Sequence, residues 1–178
     1  MNINTIHNRI ISWNAARYPQ VFNKELQYNL AFGPDGEVQE YFDAANAVDS
    51  LDALGDIYFV AIGGMWKAGL TDQSILKAIQ SELGTGTPVA TFEECEAEFD
   101  RDPVTGFAKL IVRVMFEANG MGLDGVKFLR AVNAICDSND TKPAVKTDPS
   151  VKANIDKGTT YVPPTEALQT ILAEVKHV

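Results

Sequence analysis

Acidic side chains recur at helical spacing between residues 37 and 56 of this chain. Glu37 and Glu40 are three residues apart, which places both on one face of a helix. Asp49, Asp52 and Asp56 follow at intervals of three and four, again on one face. Two such helices, packed antiparallel around a short turn, would bring these carboxylates together.

Carboxylates that close together repel one another and take up protons unless something neutralises them. A divalent cation removes the repulsion, and oxygen ligands suit Mg²⁺, with Mn²⁺ as a substitute. The second acidic stretch is otherwise mostly apolar, so we expect its acids to face inward or into a cleft. The alternative is a solvated acidic face, and spacing alone leaves both interpretations open.

Other residue types offer little further chemistry. The sequence has neither a Walker-type glycine-rich loop nor a GxSxG motif. His7 and His177 lie near the termini, and we expect both at the surface. Cys95 and Cys136 are too few and too far apart for a disulfide scaffold or a zinc knuckle, which predicts reduced structural thiols.

The apolar spacing predicts helices along nearly the whole chain, and therefore an all-α fold. Between the second and third helices, the Gly33–Gly36 break predicts either a new helix capped by Asp35 or a kink in one long helix. Residues 137–164 are rich in Lys, Asp, Thr and Pro, which predicts an extended arm or a small hairpin. The predicted helices lie at about 3–18, 22–32, 37–45, 48–67, 72–79, within 84–103, 104–115, 124–136 and 165–175.

Length and composition limit the possible functions. The chain has 178 residues, of which 46% are hydrophobic, as expected for one globular domain with a real core. With 24 acidic and 15 basic residues the net charge is -9, which argues against a nucleic-acid polymer as partner. No apolar run reaches the roughly 20 residues of a membrane span, and the first residues lack a signal-peptide pattern. We therefore expect a soluble, cytoplasmic protein.

Three segments resemble the MazG-type all-α nucleoside triphosphate pyrophosphohydrolases, in the phosphoribosyl-ATP pyrophosphohydrolase-like branch. EVQEYFDA at 37–44 resembles the ExxE helix of that family, and DALGDIYFVAIGG at 52–64 resembles its second acidic helix. SNDTK at 138–142, followed by KGTTYVPP at 157–164, resembles its SNxxK and KGxxYxPP-like segments. The resemblance covers roughly residues 20–70 and 124–165.

The resemblance implies a single domain over residues 1–178, built as a helical bundle of that pyrophosphohydrolase type. Its acidic metal-binding helices would cover residues 37–67 and its SNxxK arm residues 137–164. The stretch between these parts is longer than the family pattern leads us to expect. We therefore predict that residues 71–120 include an extra helical hairpin, inserted beside the family core.

The implied reaction is hydrolysis of a nucleoside triphosphate to the monophosphate and pyrophosphate, with Mg²⁺ held by carboxylates. By resemblance, Glu37, Glu40 and Asp56 are ligands, and one of the two glutamates takes the proton of the attacking water instead. Which glutamate does so stays open. The family pattern has an acid where this chain has Ala53, so the fourth ligand is either Asp52 or its substitute Asp49.

The resemblance also implies the substrate-binding residues and the assembly. Asn139, Lys142, Lys157 and Tyr161 would bind the triphosphate substrate, with lysine acting as a point charge on phosphate. A homodimer or a dimer of dimers is expected, because the family buries the second acidic helix between subunits. That helix here carries more apolar side chains than one partner helix can cover. They are Ile57, Phe59, Val60, Ile62, Met65 and Trp66.

Two alternatives remain open. The chain could instead be a non-catalytic relative that binds nucleotides or partners on the same scaffold, which the alanine at position 53 would favour. Trp13, Phe22 and Phe32 are candidates for stacking on a base, with core packing as the alternative.

Overall fold

The computed structural model describes residues 2–142 and 160–175, and every regular element in these ranges is an α-helix. The predicted all-α class is thus confirmed for the described part of the chain. The helices are α1 (Ile3–Arg17), α2 (Lys24–Ala31), α3 (Glu37–Asp43), α4 (Ala47–Lys67), α5 (Asp72–Leu83), α6 (Phe92–Arg101), α7 (Pro103–Gly120), α8 (Gly125–Asp140) and α9 (Thr165–Ala173).

Short polar side chains fix where most helices begin. In seven of the described helices an Asn, Thr or Asp side chain at the N-cap accepts a hydrogen bond from a backbone N–H of the first turn. At α6 the cap is reciprocal, since Thr91 and Glu94 each bond the backbone of the other. These caps explain why local patterns locate the helices well.

The break before α3 differs from our expectation in one respect. α2 and α3 are separate helices, so the chain does not form one long kinked helix here. Asp35 is not the cap; Gly36 occupies the N-cap position without a side-chain hydrogen bond. Gly33 is needed for the turn because a Cβ there would lie 2.7 Å from the carbonyl oxygen of Asn29.

Helix α4 is the central helix of the bundle. It contacts α1, α2, α3, α5, α7, α8 and α9. Ile57, Ile62 and Met65 are fully buried, Phe59 is buried, and Val60 and Trp66 are half-buried. Helices of the same chain therefore cover four of these six side chains fully or nearly so. The homodimer itself stays a prediction.

The segment from 71 to 120 forms α5, α6 and α7. α6 and α7 pack against each other as a hairpin around Asp102, and α7 also lies along α4. Phe107, Leu110 and Val114 of α7 have no exposed surface, so this part of the segment belongs to the hydrophobic core. No helix in residues 2–142 or 160–175 combines the length and the apolar character needed to cross a membrane.

The arm prediction for residues 137–164 is wrong at its start, and residues 143–159 of that segment lie outside the described residues. α8 continues through Asp140, because its buried face of Ala131, Ile135 and Ser138 keeps packing against the bundle. The described chain resumes beside the same place. Thr160 and Val162 both hydrogen-bond to Thr141, and α9 then packs on α4 and α8.

Candidate functional site

The α3–α4 hairpin places the two acidic helices side by side. Asn46 organises the turn between them, since its side chain accepts hydrogen bonds from the backbone of Val48 and Asp49. Its amide also donates to the Asp49 carboxylate over 2.7 Å. Asp49 is exposed and belongs to this capping turn, which contradicts the expectation that all the acids of α4 face inward or into a cleft.

The remaining four carboxylates are divided between the two helices of this hairpin, two on each. Glu37 and Glu40 occupy the first turn of α3, where the helix dipole favours negative charge. Glu37 is half-buried and Glu40 is exposed. Asp52 and Asp56, one helical turn apart on α4, are both half-buried, as expected for acids that line a cleft.

The turn of α4 that carries these aspartates packs closely on the C-terminal half of α8. Gly55 of α4 lies at the contact between the two helices, and a Cβ there would be 2.7 Å from the Ile135 side chain. Burial raises the pKa of the Cys136 thiol to about 12, and the nearby charge of Asp56 adds to the rise. Asp56 and the end of α8 are therefore neighbours. Cys136 and Cys95 are both buried free thiols.

The carboxylates do not converge into a preformed cluster. In the part of the chain that the structure describes, no three His, Cys, Asp or Glu side chains are placed to hold one metal ion. The hairpin thus brings the two helices together without gathering three of the carboxylates. The predicted metal ligands are carboxylate oxygens, the ligand type that Mg²⁺ prefers.

Three of the four predicted substrate-binding residues lie near one another, at the end of α8. Asn139 is 5% exposed and sits in the last turn of the helix. Lys142 follows the helix, and its ammonium nitrogen lies 5.7 Å from the centre of the Tyr161 ring. The two segments that resemble one family pattern thus meet in space. Lys157 lies outside the described residues.

Helix α1 makes contacts at this end of α8 that the sequence analysis missed. The Trp13 indole N–H donates to the carbonyl oxygen of Asn139 over 2.9 Å. The Arg17 guanidinium donates to the carbonyl oxygen of Lys142, also over 2.9 Å. Arg9 pairs with Asp137 and Asp140. These three α1 residues recur every four positions, a spacing visible in the sequence, although nothing local indicates what the stripe contacts.

The aromatic candidates for base stacking pack within the bundle. Trp13 meets Phe59 edge-to-face at 5.2 Å between ring centres, and the Arg17 guanidinium lies 4.2 Å above its ring. Phe32 packs at 5.6 Å from Phe99. Phe22 also packs against the core. Core packing, the alternative that we left open, is therefore what the structure shows.

His7 is not at the surface, so our expectation for it was wrong. His7 has no exposed area, like Ile6 and Ile10 beside it, because α1 packs here against α4 and α5. Its Nε2 atom lies 2.7 Å from the Tyr58 hydroxyl and its Nδ1 atom 3.1 Å from the Asp72 carboxylate. Burial lowers the pKa of His7, and Asp72 opposes that effect. His177 lies outside the described residues.

No family model, no curated protein and no solved structure matches this chain.

Proposed function

We propose that this protein hydrolyses a nucleoside triphosphate to the monophosphate and pyrophosphate with the help of Mg²⁺. The observation that carries the proposal is the packing of the aspartate-bearing turn of α4 against the end of α8. In that packing Gly55, which lies between Asp52 and Asp56 in the sequence, faces Ile135, one helical turn before Asn139. This arrangement supports a site in which carboxylates bind a metal ion and Lys142 binds phosphate.

Glu37, Glu40, Asp52 and Asp56 are the residues that would hold magnesium. Mg²⁺ usually takes one or two protein carboxylates and completes its shell with water and phosphate oxygens. Two acidic helices side by side suit that mode, and a three-carboxylate group formed in advance is not required. When bound, the metal supplies charge neutralisation at the phosphates and a more acidic water.

The side chains of the chain itself have separate tasks in this proposal. One of the two glutamates accepts the proton of the water that attacks the α-phosphorus. Lys142 places its positive charge against the polyphosphate, and the Tyr161 ring restricts where that charge can lie. Asn139 can donate to a phosphate oxygen or contact the base through its amide.

Asp52 is a better fourth ligand than Asp49. Asp52 is half-buried and one turn from Asp56, whereas Asp49 is exposed and bonded to Asn46. Ala53, where the family pattern has its acid, is 5% exposed and faces the core, so the fourth ligand has to come from another position such as Asp52. An acid at position 53 would point away from solvent. The buried alanine therefore gives little weight to the non-catalytic alternative.

The test is to incubate purified protein with each (d)NTP and Mg²⁺ and to separate the products by chromatography. We expect monophosphate and pyrophosphate from at least one nucleotide. Release of inorganic phosphate and diphosphate, before any pyrophosphatase is added, would contradict attack at the α-phosphorus. Nucleotide binding without any turnover would favour the non-catalytic alternative.

The site assignment is tested by Glu40→Gln and Asp56→Asn. Each should reduce turnover at least about a hundredfold, as is typical when a metal ligand or general base is lost. The helical circular dichroism should stay unchanged. Glu25→Gln is the matched control, because Glu25 is an exposed glutamate in the first turn of α2, as Glu40 is in α3. Full activity in either site variant would refute the assignment.

A further inference from the structure

We infer that Trp13 and Arg17 of α1 are positioning residues that hold the turn carrying Asn139 and Lys142 in place to bind the substrate. The inference rests on the proposed function, because it assigns a role to residues that contact the proposed substrate-binding turn. Neither residue belongs to the segments that led to the proposal. Their role follows from contacts across 126 and 125 positions of sequence.

Both residues donate to backbone carbonyls at a helix end. The last four carbonyls of an α-helix have no partner within the helix and need donors from elsewhere. At the end of α8 there is no basic residue in the last turn and no glycine cap; the C-cap is Thr141 in ordinary helical conformation. The Asn139 carbonyl already accepts the backbone N–H of Lys142 over 3.1 Å, so the Trp13 indole N–H is an additional donor to it. The Arg17 guanidinium donates to the carbonyl of Lys142, just beyond the helix.

The donors are themselves held rigidly. Arg17 is 6% exposed, stacks on the Trp13 ring and also donates to the carbonyl oxygen of Trp13 over 3.3 Å. Trp13 packs edge-on against Phe59 of α4. A continuous set of contacts therefore runs from α4, through Trp13, to Asn139. Since α4 also carries Asp52 and Asp56, these contacts fix the substrate-binding turn relative to the proposed metal ligands.

Arg9 completes the same stripe by a different kind of contact. Its guanidinium pairs with the side chains of Asp137 and Asp140 and donates to the side chain of Asn133. These bonds hold the outer face of α8, whereas Trp13 and Arg17 hold the backbone of the substrate-binding turn. We therefore expect the effect on substrate binding to come mainly from Trp13 and Arg17.

The decisive variants are Trp13→Phe and Arg17→Met. Trp13→Phe keeps an aromatic ring against Phe59 and removes the N–H donor together with the second ring of the indole. Each change should raise KM for the nucleotide about fivefold, the factor that corresponds to one lost hydrogen bond. kcat should stay within about a factor of two, because the proposed carboxylates are untouched. Arg17→Lys should restore part of the loss, since lysine keeps one charged donor.

The control is Arg130→Lys. Arg130 lies on α8 too, but its guanidinium pairs with Glu174 beyond α9. The Arg130→Lys variant should leave KM for the nucleotide unchanged. If Trp13→Phe and Arg17→Met lower thermal stability as much as expected for a lost contact yet leave KM at the wild-type value, the residues are merely structural and the inference is overturned.

A fluorescence titration separates this inference from the proposed function. The chain has two tryptophans, so Trp66→Phe leaves Trp13 as the only indole. In that background, titration with an α,β-methylene nucleoside triphosphate and Mg²⁺ should change the Trp13 emission, and adding Arg17→Met should weaken the apparent affinity about fivefold.

The outcomes then divide clearly. If the wild type hydrolyses no nucleotide but the analogue still binds in this Arg17-dependent way, the hydrolysis proposal fails and the positioning role stands. If the wild type is active but Arg17→Met changes neither KM nor the titration, the positioning role fails alone. If there is neither turnover nor binding, both fail.

Discussion

At the scale of single residues, protonation of the buried His7 side chain opposes folding. It is fully buried between the Tyr58 hydroxyl and the Asp72 carboxylate, and its pKa is lowered by burial despite the nearby negative charge. In the unfolded chain the same side chain titrates near its ordinary value of about 6.5. The unfolded state therefore binds a proton at higher pH than the folded state does.

The expected consequence is a loss of stability in mild acid. As the pH falls below about 6.5, the unfolded state is protonated first, so the free energy of unfolding decreases. The decrease continues until His7 is protonated in the folded state as well, and then it levels off. Urea denaturation at pH 7.5 and pH 5.5 should show a smaller pH effect in His7→Gln than in the wild type.

Comparing that difference, rather than the stabilities themselves, removes the pH-dependent contributions that the two proteins share. It also removes the cost of the lost contact to Tyr58, which is the same at both pH values to a first approximation. An equal pH effect in the two proteins would mean that burial does not lower the pKa of His7.

At the scale of elements, the central helix depends on close approach to α7. A Cβ at Gly64 would lie 2.4 Å from the Phe107 ring, which is itself fully buried. Gly64→Ala would otherwise gain up to about 1 kcal/mol of helix propensity. We expect the overpacking to outweigh that gain, with a net loss of about 1–3 kcal/mol in the free energy of unfolding.

Gly120→Ala is the matched control for this prediction. Gly120 is the last residue of α7, and a Cβ there would meet nothing within 4 Å. The Gly120→Ala variant should leave the free energy of unfolding unchanged or raise it slightly. Thermal and urea unfolding of both variants measure the contrast. Equal effects would show that α4 and α7 are not packed as closely as these distances require.

The sequence predicts the described helices well because their ends are local features. Asn46, Thr71 and Asp124 cap their helices through bonds to residues two or three positions away. The end of α8 was misplaced because Asp137 and Asp140 look like the start of a polar loop. Their polar side chains instead pair with Arg9, more than 120 residues earlier in the chain.

The candidate site is predictable from the sequence only in part. The carboxylate spacing identifies Asp52 and Asp56, which the structure finds half-buried on one face. The spacing does not distinguish Asp49 from Asp52 and Asp56, because the exposure of Asp49 depends on the capping turn of Asn46. The contacts of Trp13 and Arg17 were missed because they join segments that no local pattern connects.

At the scale of the whole molecule, the hydrophobic core is completed within a single chain. α4 is surrounded by seven helices of the same chain, and Ile57, Ile62 and Met65 have no exposed surface. A protein that folds only as a dimer leaves a large apolar face open in the isolated subunit. The helix that suggested such a face from the sequence does not present one here.

We therefore expect folding to be independent of association, whether or not subunits also pair through another surface. For a chain that folds only on dimerisation, a fiftyfold rise in protein concentration would stabilise the folded state by about 2 kcal/mol. The urea midpoint should instead be the same at about 1 and 50 μM protein, within the error of linear extrapolation. Light scattering on the same samples gives the mass to compare with the 19.4 kDa of one chain. A midpoint that rises with concentration would show that the subunits fold together, and the core described above would then be insufficient by itself.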